Sequence, residues 1–166
     1  YAAMFRRLYS LDVVIARIMM AYGPGQIDPT RVVPYVITAL LKGQSPKLTS
    51  GVRQVDWILI DDVAEGLLAL GCCPNREVVR IDLGTGVLHS VRELAEKLQA
   101  LIDPSVPIEI GTVADRPFEI VRKADVAQTR QATGWEPKVT LDEGLQRCAA
   151  WYQARLVEGQ PAVLPY

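Results

Sequence analysis

A short apolar run that ends in a glycine-rich turn constrains this chain more than any other feature. Residues 11–26, LDVVIARIMMAYGPGQ, begin with β-branched side chains and close on Gly-Pro-Gly at 23–25. An apolar run of this length between turn residues is typical of a strand buried on both faces of a parallel sheet. In open α/β sheets, ligands bind where such strands end. The run therefore predicts a core strand that delivers Met20, Ala21 and Tyr22 to a site, although an ordinary core strand with a tight turn explains the same residues.

Composition predicts one soluble globular domain. The chain has 166 residues, of which 49% are hydrophobic, and a formal net charge of −1. A chain of this size buries roughly 70% of the surface of its unfolded state, which is enough for a real core. The near-neutral charge argues against a nucleic-acid partner, and no apolar run reaches membrane-spanning length. No signal peptide opens the chain, so we expect a cytoplasmic protein.

The cysteines and the histidine argue against a metal site. Cys72 and Cys73 are adjacent, which is poor geometry for a disulfide, and Cys148 lies far along the chain. This pattern predicts reduced thiols that pack as small apolar side chains. The single histidine, His89, excludes histidine-pair metal motifs and paired-histidine catalysis.

The hydrophobic periodicity predicts strands and helices that alternate along the chain, which indicates an α/β fold with parallel strand pairing. Strands are predicted at 13–17, 55–60, 78–83 and 107–110, with an extended stretch at 47–51, and helices at 1–10, 29–43, 63–70, 91–102, 125–134 and 141–156. The first helix has no capping residue, as if the chain had lost what came before it. The tail, with prolines at 161 and 165, is expected to be loose.

Helix starts carry capping signals. The pairs with this spacing are Asp62 with Glu65, Ser90 with Glu93, Asp125 with Gln128, and Thr140 with Glu143. In such a pair, side chains satisfy the free amides of the first turn. Asp61 and Asp62 could also form a carboxylate pair for acid–base chemistry, but capping is the better explanation.

A Gly-Thr-Gly turn at 84–86 follows a predicted strand. It is similar to a dinucleotide-binding loop but lacks the third glycine of that fingerprint. A strand-to-helix turn that needs positive φ accounts for it better.

Three charged residues suggest an anion site. Arg53 lies just before a predicted strand, and Arg116 and Glu119 lie in a loop between a strand and a helix. A forked guanidinium suits a diphosphate, and a nearby carboxylate suits sugar hydroxyls. Taken singly, each is also explained as a solvated surface charge. The residues alone therefore indicate an α/β domain that could bind an anionic ligand, with no nucleophile–base pair, Gly-x-Ser-x-Gly or P-loop.

Five motifs in a fixed order carry a resemblance to a known family. They are VVIAR at 13–17 with AYGPG at 21–25, DWILIDDVA at 56–64, IDLGTG at 81–86, Arg-Pro at 116–117, and GWEP at 134–137 followed by LDEG at 141–144. Over residues 1–152 the chain resembles the C-terminal half of the extended short-chain dehydrogenase/reductases, the NAD(P)-dependent nucleotide-sugar epimerases and dehydratases. The resemblance implies a partial Rossmann (doubly wound) sheet plus the small C-terminal lobe that binds a nucleotide-diphosphate sugar.

The same resemblance implies roles for particular residues. It places Arg116 on the phosphate or ribose of the nucleotide, Glu119 on the ribose hydroxyls, and Tyr22 beside the nicotinamide and the sugar. Met20 stands at a substrate-binding position where family members often have Asn.

Arg53 is a further candidate for the phosphate. Many family members carry arginine where this chain has Val55, and Arg53 shares a strand face with that position because it lies two residues earlier.

Two family motifs are absent from the sequence. Neither the Gly-x-x-Gly-x-x-Gly cofactor loop nor the catalytic Tyr-x-x-x-Lys occurs, so both would lie upstream of residue 1. We therefore expect residues 1–166 to be a single truncated unit without catalytic residues. The full-length family uses NAD or NADP, and this chain alone is expected to bind neither.

The expected function is the substrate-binding portion of an epimerase or dehydratase, inactive alone. Alternatives are a non-catalytic nucleotide-sugar binding module and an interaction protein that reuses the fold. We also expect the chain to pair with itself or with a missing N-terminal half, because the predicted first strand lacks neighbours on one side.

Overall fold

Helices and short strands alternate along the chain, as the periodicity predicts. The computed structural model describes residues 1–73, 80–117 and 119–157. The helices are α1 Ala2–Tyr9, α2 Val32–Leu41, α3 Ile60–Gly71, α4 Val91–Ile102, α5 Val126–Thr133 and α6 Leu141–Val157. The strands are β1 Ile15–Ile18, β2 Met20–Tyr22, β3 Lys47–Leu48, β4 Gln54–Leu59, β5 Arg80–Leu83, β6 Leu88–Ser90 and β7 Glu109–Ile110. The predicted α/β class is confirmed. The start of the predicted strand at 78–83 and the proline-containing tail lie outside the described residues.

Strand pairing is mostly parallel. β1 pairs with β5, β2 with β4, and β3 with β7, each in parallel. β4 also pairs antiparallel with β6, a short strand that the sequence analysis did not predict. β4 therefore lies in the middle of a three-stranded sheet, in the order β2-β4-β6.

The predicted single strand after residue 11 is wrong in two respects. It is divided into β1 and β2, which take different partners, with Met19 between them donating its amide to the Leu83 carbonyl at 2.9 Å. Its side chains are also only partly buried along β1, because β1 pairs with β5 alone among the described residues. Residues 15–22 are therefore continuous in sequence but contribute strands to two different sheets.

The main core lies between the helices and the β2-β4-β6 sheet. Helices α2, α4 and α6 pack against one another, and β4 packs against α6. Tyr22 meets Trp57 edge to face, with ring centroids 6.4 Å apart. Cys148 lies in this core as a free thiol, and burial raises the pKa of this thiol to about 12. The predicted role as a small apolar packing residue is confirmed for Cys148 but is wrong for Cys72, which is exposed, while Cys73 is half-buried.

Helix α1 contributes nothing to that core. None of its residues is buried, and its start at Tyr1 makes no side-chain cap, as predicted. Phe5 and Tyr9 contact each other, with centroids 5.3 Å apart, and both remain exposed. The helix therefore presents an apolar stripe to its surroundings.

Three of the four predicted capping pairs form. Ser90 Oγ accepts the Glu93 amide at 3.0 Å, and the Asp125 carboxylate accepts the Gln128 amide at 2.9 Å. At the start of α6 the box is reciprocal. The Glu143 carboxylate accepts the Thr140 amide at 3.0 Å, and Thr140 Oγ1 accepts the Glu143 amide at 3.3 Å.

The predicted cap of α3 is wrong. The helix begins at Ile60, so Asp62 lies within its first turn, and the capping position is Leu59. The buried Asp62 carboxylate instead accepts the amides of Lys138 and Val139, at 3.1 and 3.0 Å. It ties the connection before α6 to the start of α3, which a pairing rule based on local spacing could not anticipate.

No helix in the described part of the chain combines the length and apolar character needed to cross a membrane.

Candidate functional site

An open cleft of about 410 Å³ lies where three segments meet. Its lining consists of Arg17, Ile18, Met19 and Met20 from the β1–β2 run, Arg53, Gln54, Val55 and Asp56 at the start of β4, and Ile120 and Arg122 from the connection before α5. Three arginines therefore face one cavity. The guanidinium group is suited to planar, bidentate contacts with carboxylates and phosphates.

Arg17 is held by a buried carboxylate. Its Nε and Nη2 donate to the two oxygens of Asp82 at 2.7 and 2.6 Å, a bidentate pair between β1 and β5. Burial alone would raise the pKa of Asp82, but the hydrogen bonds from Arg17 and from the Asp125 amide lower it overall. The Asp82 hydrogen bond also raises the pKa of Arg17. Both groups stay charged, and the Nε–Nη2 edge of Arg17 is occupied.

Asp56 organises the floor of the cleft. Its carboxylate is 1% exposed. One oxygen accepts the amide and hydroxyl of Thr85 at 2.7 and 2.8 Å. The other accepts the amides of Gly86 and Ala124 at 3.0 and 2.9 Å. A single buried group thus joins β4 to the turn after β5 and to the connection that carries Arg122.

The Gly-Thr-Gly turn is a structural turn in this chain. Gly86 has φ +69°, as predicted, but the turn leads into strand β6 and not directly into a helix. A Cβ on Gly84 would lie 2.6 to 2.8 Å from Met19, Ala124 and Asp56, so only glycine fits. Because Asp56 takes up the amides of Thr85 and Gly86, those amides cannot cradle a dinucleotide phosphate. The turn does not fit the cofactor that the family resemblance implies.

Two of the predicted binding residues contact each other. Arg53 Nη1 lies 3.0 Å from a carboxylate oxygen of Glu119, and the two side chains are 36% and 28% exposed. Met20, a third predicted residue, lines the same cleft as Arg53. The structure therefore brings Met20, Arg53 and Glu119 together.

The other two predicted residues lie elsewhere. Arg116 is exposed and does not line the cleft. Tyr22 is buried in the core, where its hydroxyl donates to the Leu141 carbonyl at 3.4 Å, and burial raises its pKa. The roles assigned to both residues by the family resemblance stay predictions.

Sequence reasoning missed three residues of the site. Asp56 was only part of a family motif, although an acidic residue inside an apolar strand signals a buried polar contact. Arg17 was identified only as the last residue of the predicted first strand, and no role in the site was assigned to it. Arg122 carried no signal beyond its place six residues after Arg116.

No group of three or more metal-ligating side chains is placed to hold an ion in residues 1–73, 80–117 and 119–157.

The fold that holds this cleft is that of the Rossmann-like epimerases and dehydratases. The epimerase Mth375 of Methanothermobacter thermautotrophicus matches with a TM-score of 0.84 at 25% identity, over 93% of this chain and 47% of that one. The Bordetella bronchiseptica enzyme WbmF, in complex with NAD+ and UDP, matches with a TM-score of 0.79 at 26% identity, over 95% and 50% of the two chains.

Sequence comparison leads to the same group of proteins. Residues 1–79 match the model of the NAD dependent epimerase/dehydratase family. UDP-glucuronic acid decarboxylase 3 of Arabidopsis thaliana is 32% identical over 155 residues, which are 92% of this chain and 44% of that protein. The chain therefore spans less than half the length of this curated relative, and the resemblance inferred from the motifs is supported at the level of the family.

Replacing Asp56 by asparagine should strongly destabilise the fold. The amide would put an NH2 group in place of one oxygen, where two donors converge, and would leave buried donors unsatisfied. We expect the free energy of unfolding to fall by about 2 kcal/mol or more. Urea unfolding monitored by tryptophan fluorescence measures it. Asp61→Asn, at a side chain that is 62% exposed, is the control and should change stability by less than about 0.5 kcal/mol. Equal stability of the two variants would contradict the structural role of Asp56.

Proposed function

We propose that this chain is a member of the NAD-dependent epimerase/dehydratase family and forms its nucleotide-sugar-binding portion. The observation that carries the proposal is the convergence of Arg17, Arg53 and Arg122 on one open cleft. The volume of about 410 Å³ lies within the range of small-molecule sites. A nucleoside diphosphate supplies the anionic oxygens that forked guanidinium groups recognise.

The substrate class follows from the composition of the cleft and from the relatives. Arg53 supplies donors for phosphate oxygens, and Glu119 beside it supplies acceptors for ribose hydroxyls. Met20 and Ile120 add apolar surface next to the charges. The names of the similar proteins mention UDP-glucuronic acid and a complex with UDP. We therefore assign a nucleotide-diphosphate sugar as the ligand.

We further propose that the chain corresponds to the C-terminal, substrate-binding portion of such an enzyme and is inactive alone. Neither Tyr-x-x-x-Lys nor Gly-x-x-Gly-x-x-Gly occurs in the sequence. The Gly-Thr-Gly turn at 84–86, which is similar to a phosphate loop, has its amides taken up by Asp56. NAD or NADP would be held by a part of the enzyme that this sequence does not contain.

Nucleoside diphosphates should bind weakly to the cleft. We expect UDP, GDP, CDP or dTDP to bind with a dissociation constant on the order of millimolar, about 4 kcal/mol of binding free energy, because solvent screens the exposed arginines. Amide chemical shifts measure the binding and should change at residues 17–20, 53–56 and 119–122, less so at higher salt. Arg53→Gln should weaken binding.

Arg130→Gln is the matched control, since Arg130 is also ion-paired, with Glu136 at 3.2 Å, but lies outside the cleft. Shifts that appear only on other surfaces, or that are the same in Arg53→Gln, would refute the assignment.

The purified chain should not turn over any nucleotide-sugar. Without the tyrosine–lysine pair and the cofactor loop, it has neither a general base nor a hydride acceptor in place. Incubation of UDP-glucose or UDP-glucuronic acid with the chain and NAD or NADP, followed by chromatography of the products, tests this. Formation of an epimerised, dehydrated or decarboxylated product above a protein-free blank would show that the expectation is wrong.

A second candidate function is association with another copy of the chain. The side chains of α1 are unburied and form an apolar stripe, and β1 pairs with β5 alone among the described strands. Exposed apolar faces and strand edges favour pairing with another chain.

Sedimentation should therefore show dimers or larger species at micromolar concentration. Leu8→Glu, at an α1 residue that is 64% exposed, should shift the chain toward monomer because it puts a charge on the stripe. Leu68→Glu, at a residue of α3 that is 69% exposed, is the control and should leave the distribution unchanged. A clean monomer before any substitution would rule this candidate out.

A further inference from the structure

The three arginines of the cleft are not equally available to a ligand. Arg17 is engaged by both oxygens of Asp82, at 2.7 and 2.6 Å. Arg53 forms an ion pair with Glu119 at 3.0 Å. Arg122 lines the cleft and has no hydrogen bond or ion pair with any of the described residues. The donors of Arg122 are therefore open to solvent, whereas Arg17 has Nε and Nη2 engaged by Asp82.

The backbone that carries Arg122 is anchored next to it. The Ala124 amide donates to Asp56 at 2.9 Å, and the Asp125 amide donates to Asp82 at 3.3 Å. Both carboxylates are buried, so the end of this connection is tied to β4 and β5. An anchored backbone lowers the entropy that must be lost when the side chain engages a ligand.

Alternate residues of the same connection face the cavity. Ile120 and Arg122 line the cleft, whereas Val121 and Lys123 do not. Lys123 is exposed and carries the same charge as its neighbour. The chain therefore offers a matched pair of cations, one directed to the cleft and one not.

We propose that Arg122 is the phosphate-binding residue that stands ready in the ligand-free cleft, and that Arg53 joins it only by giving up Glu119. This inference rests on the proposed function, because it assigns the residues that hold the diphosphate of the ligand. A phosphate oxygen gains a charge-assisted contact from Arg122 without breaking any contact of the described residues. At Arg53 the same oxygen must compete with a carboxylate. Glu119 thus opposes binding of a bare diphosphate.

Inorganic pyrophosphate and UDP are the probes, titrated into the full chain and followed by amide shifts. Arg122→Gln should weaken the binding of both by roughly threefold to tenfold, the effect of losing one partly screened charged contact. Lys123→Gln should change either affinity by less than about twofold, since exposed charges outside the cleft are screened. Arg122→Lys, which keeps the charge but loses the fork, should recover part of the loss.

Glu119→Gln separates the second part of the inference from simple loss of a binding residue. It should tighten the binding of pyrophosphate, because Arg53 is released and pyrophosphate has no ribose for Glu119 to hold. Weaker or unchanged pyrophosphate binding in this variant would overturn the competition between Glu119 and the ligand.

The outcomes also distinguish this inference from the function it rests on. If the unsubstituted chain binds UDP and Arg122→Gln binds it equally well, or if Arg116→Gln loses more affinity than Arg122→Gln, the role of Arg122 is wrong while the proposed function stands. If the unsubstituted chain binds neither probe, both proposals fail. The side chain of Arg122 is exposed and has no hydrogen bond or ion pair with the described residues, so Arg122→Gln should fold normally. A circular dichroism spectrum checks this.

Discussion

Much of this structure depends on a buried carboxylate at Asp56 that four donors surround. A charge that is removed from water costs several kcal/mol unless hydrogen bonds compensate it, so the donors must be in place for the fold to be stable. Those donors come from Thr85, Gly86 and Ala124, residues 29 to 68 positions away in sequence. The need to satisfy both oxygens of Asp56 therefore fixes the relative positions of three segments. Two of them, β4 and the connection before α5, border the cleft.

Two further buried aspartates act in the same way. Asp82, on β5, is paired with Arg17 and accepts the Asp125 amide, and Asp62, in the first turn of α3, accepts the amides of Lys138 and Val139. In each case a carboxylate on a strand or at a helix start holds a connection that has little regular structure of its own. Apolar packing alone positions helices well but leaves such connections free, because they bury few side chains. Buried carboxylates with directional partners supply the missing constraint.

The sequence predicted the local features of the fold better than the contacts between distant segments. The helix at 91–102 has the predicted bounds, and the Thr140–Glu143 box forms reciprocally, because both depend on residues within one turn. Asp62 was assigned to a local cap because its true partners lie 76 and 77 residues away. The first strand divides in two for a similar reason, since its partners at β4 and β5 are not visible in its own hydrophobic pattern. Within the site, Arg53 and Glu119 were identified individually, but their contact and the position of Arg122 in the cleft depend on tertiary structure.

If the cleft binds an anion as proposed, its affinity should depend more on free hydrogen-bond donors than on net charge. Three arginines border the cavity, and three carboxylates lie next to them, at Asp56, Asp82 and Glu119, so the formal charges cancel. The carboxylates differ, however, in which hydrogen-bond donors they take up. Asp56 accepts hydrogen bonds from backbone amides and a hydroxyl and from none of the guanidinium groups, whereas Asp82 occupies the Nε–Nη2 edge of Arg17. If an arginine of the cleft satisfied Asp56 instead, that arginine would be unavailable to a ligand. The backbone amides that Asp56 now accepts would also lose their acceptor. Because main-chain amides and one hydroxyl satisfy Asp56, this carboxylate joins three segments of the chain without taking up any donor of the arginines that line the cleft.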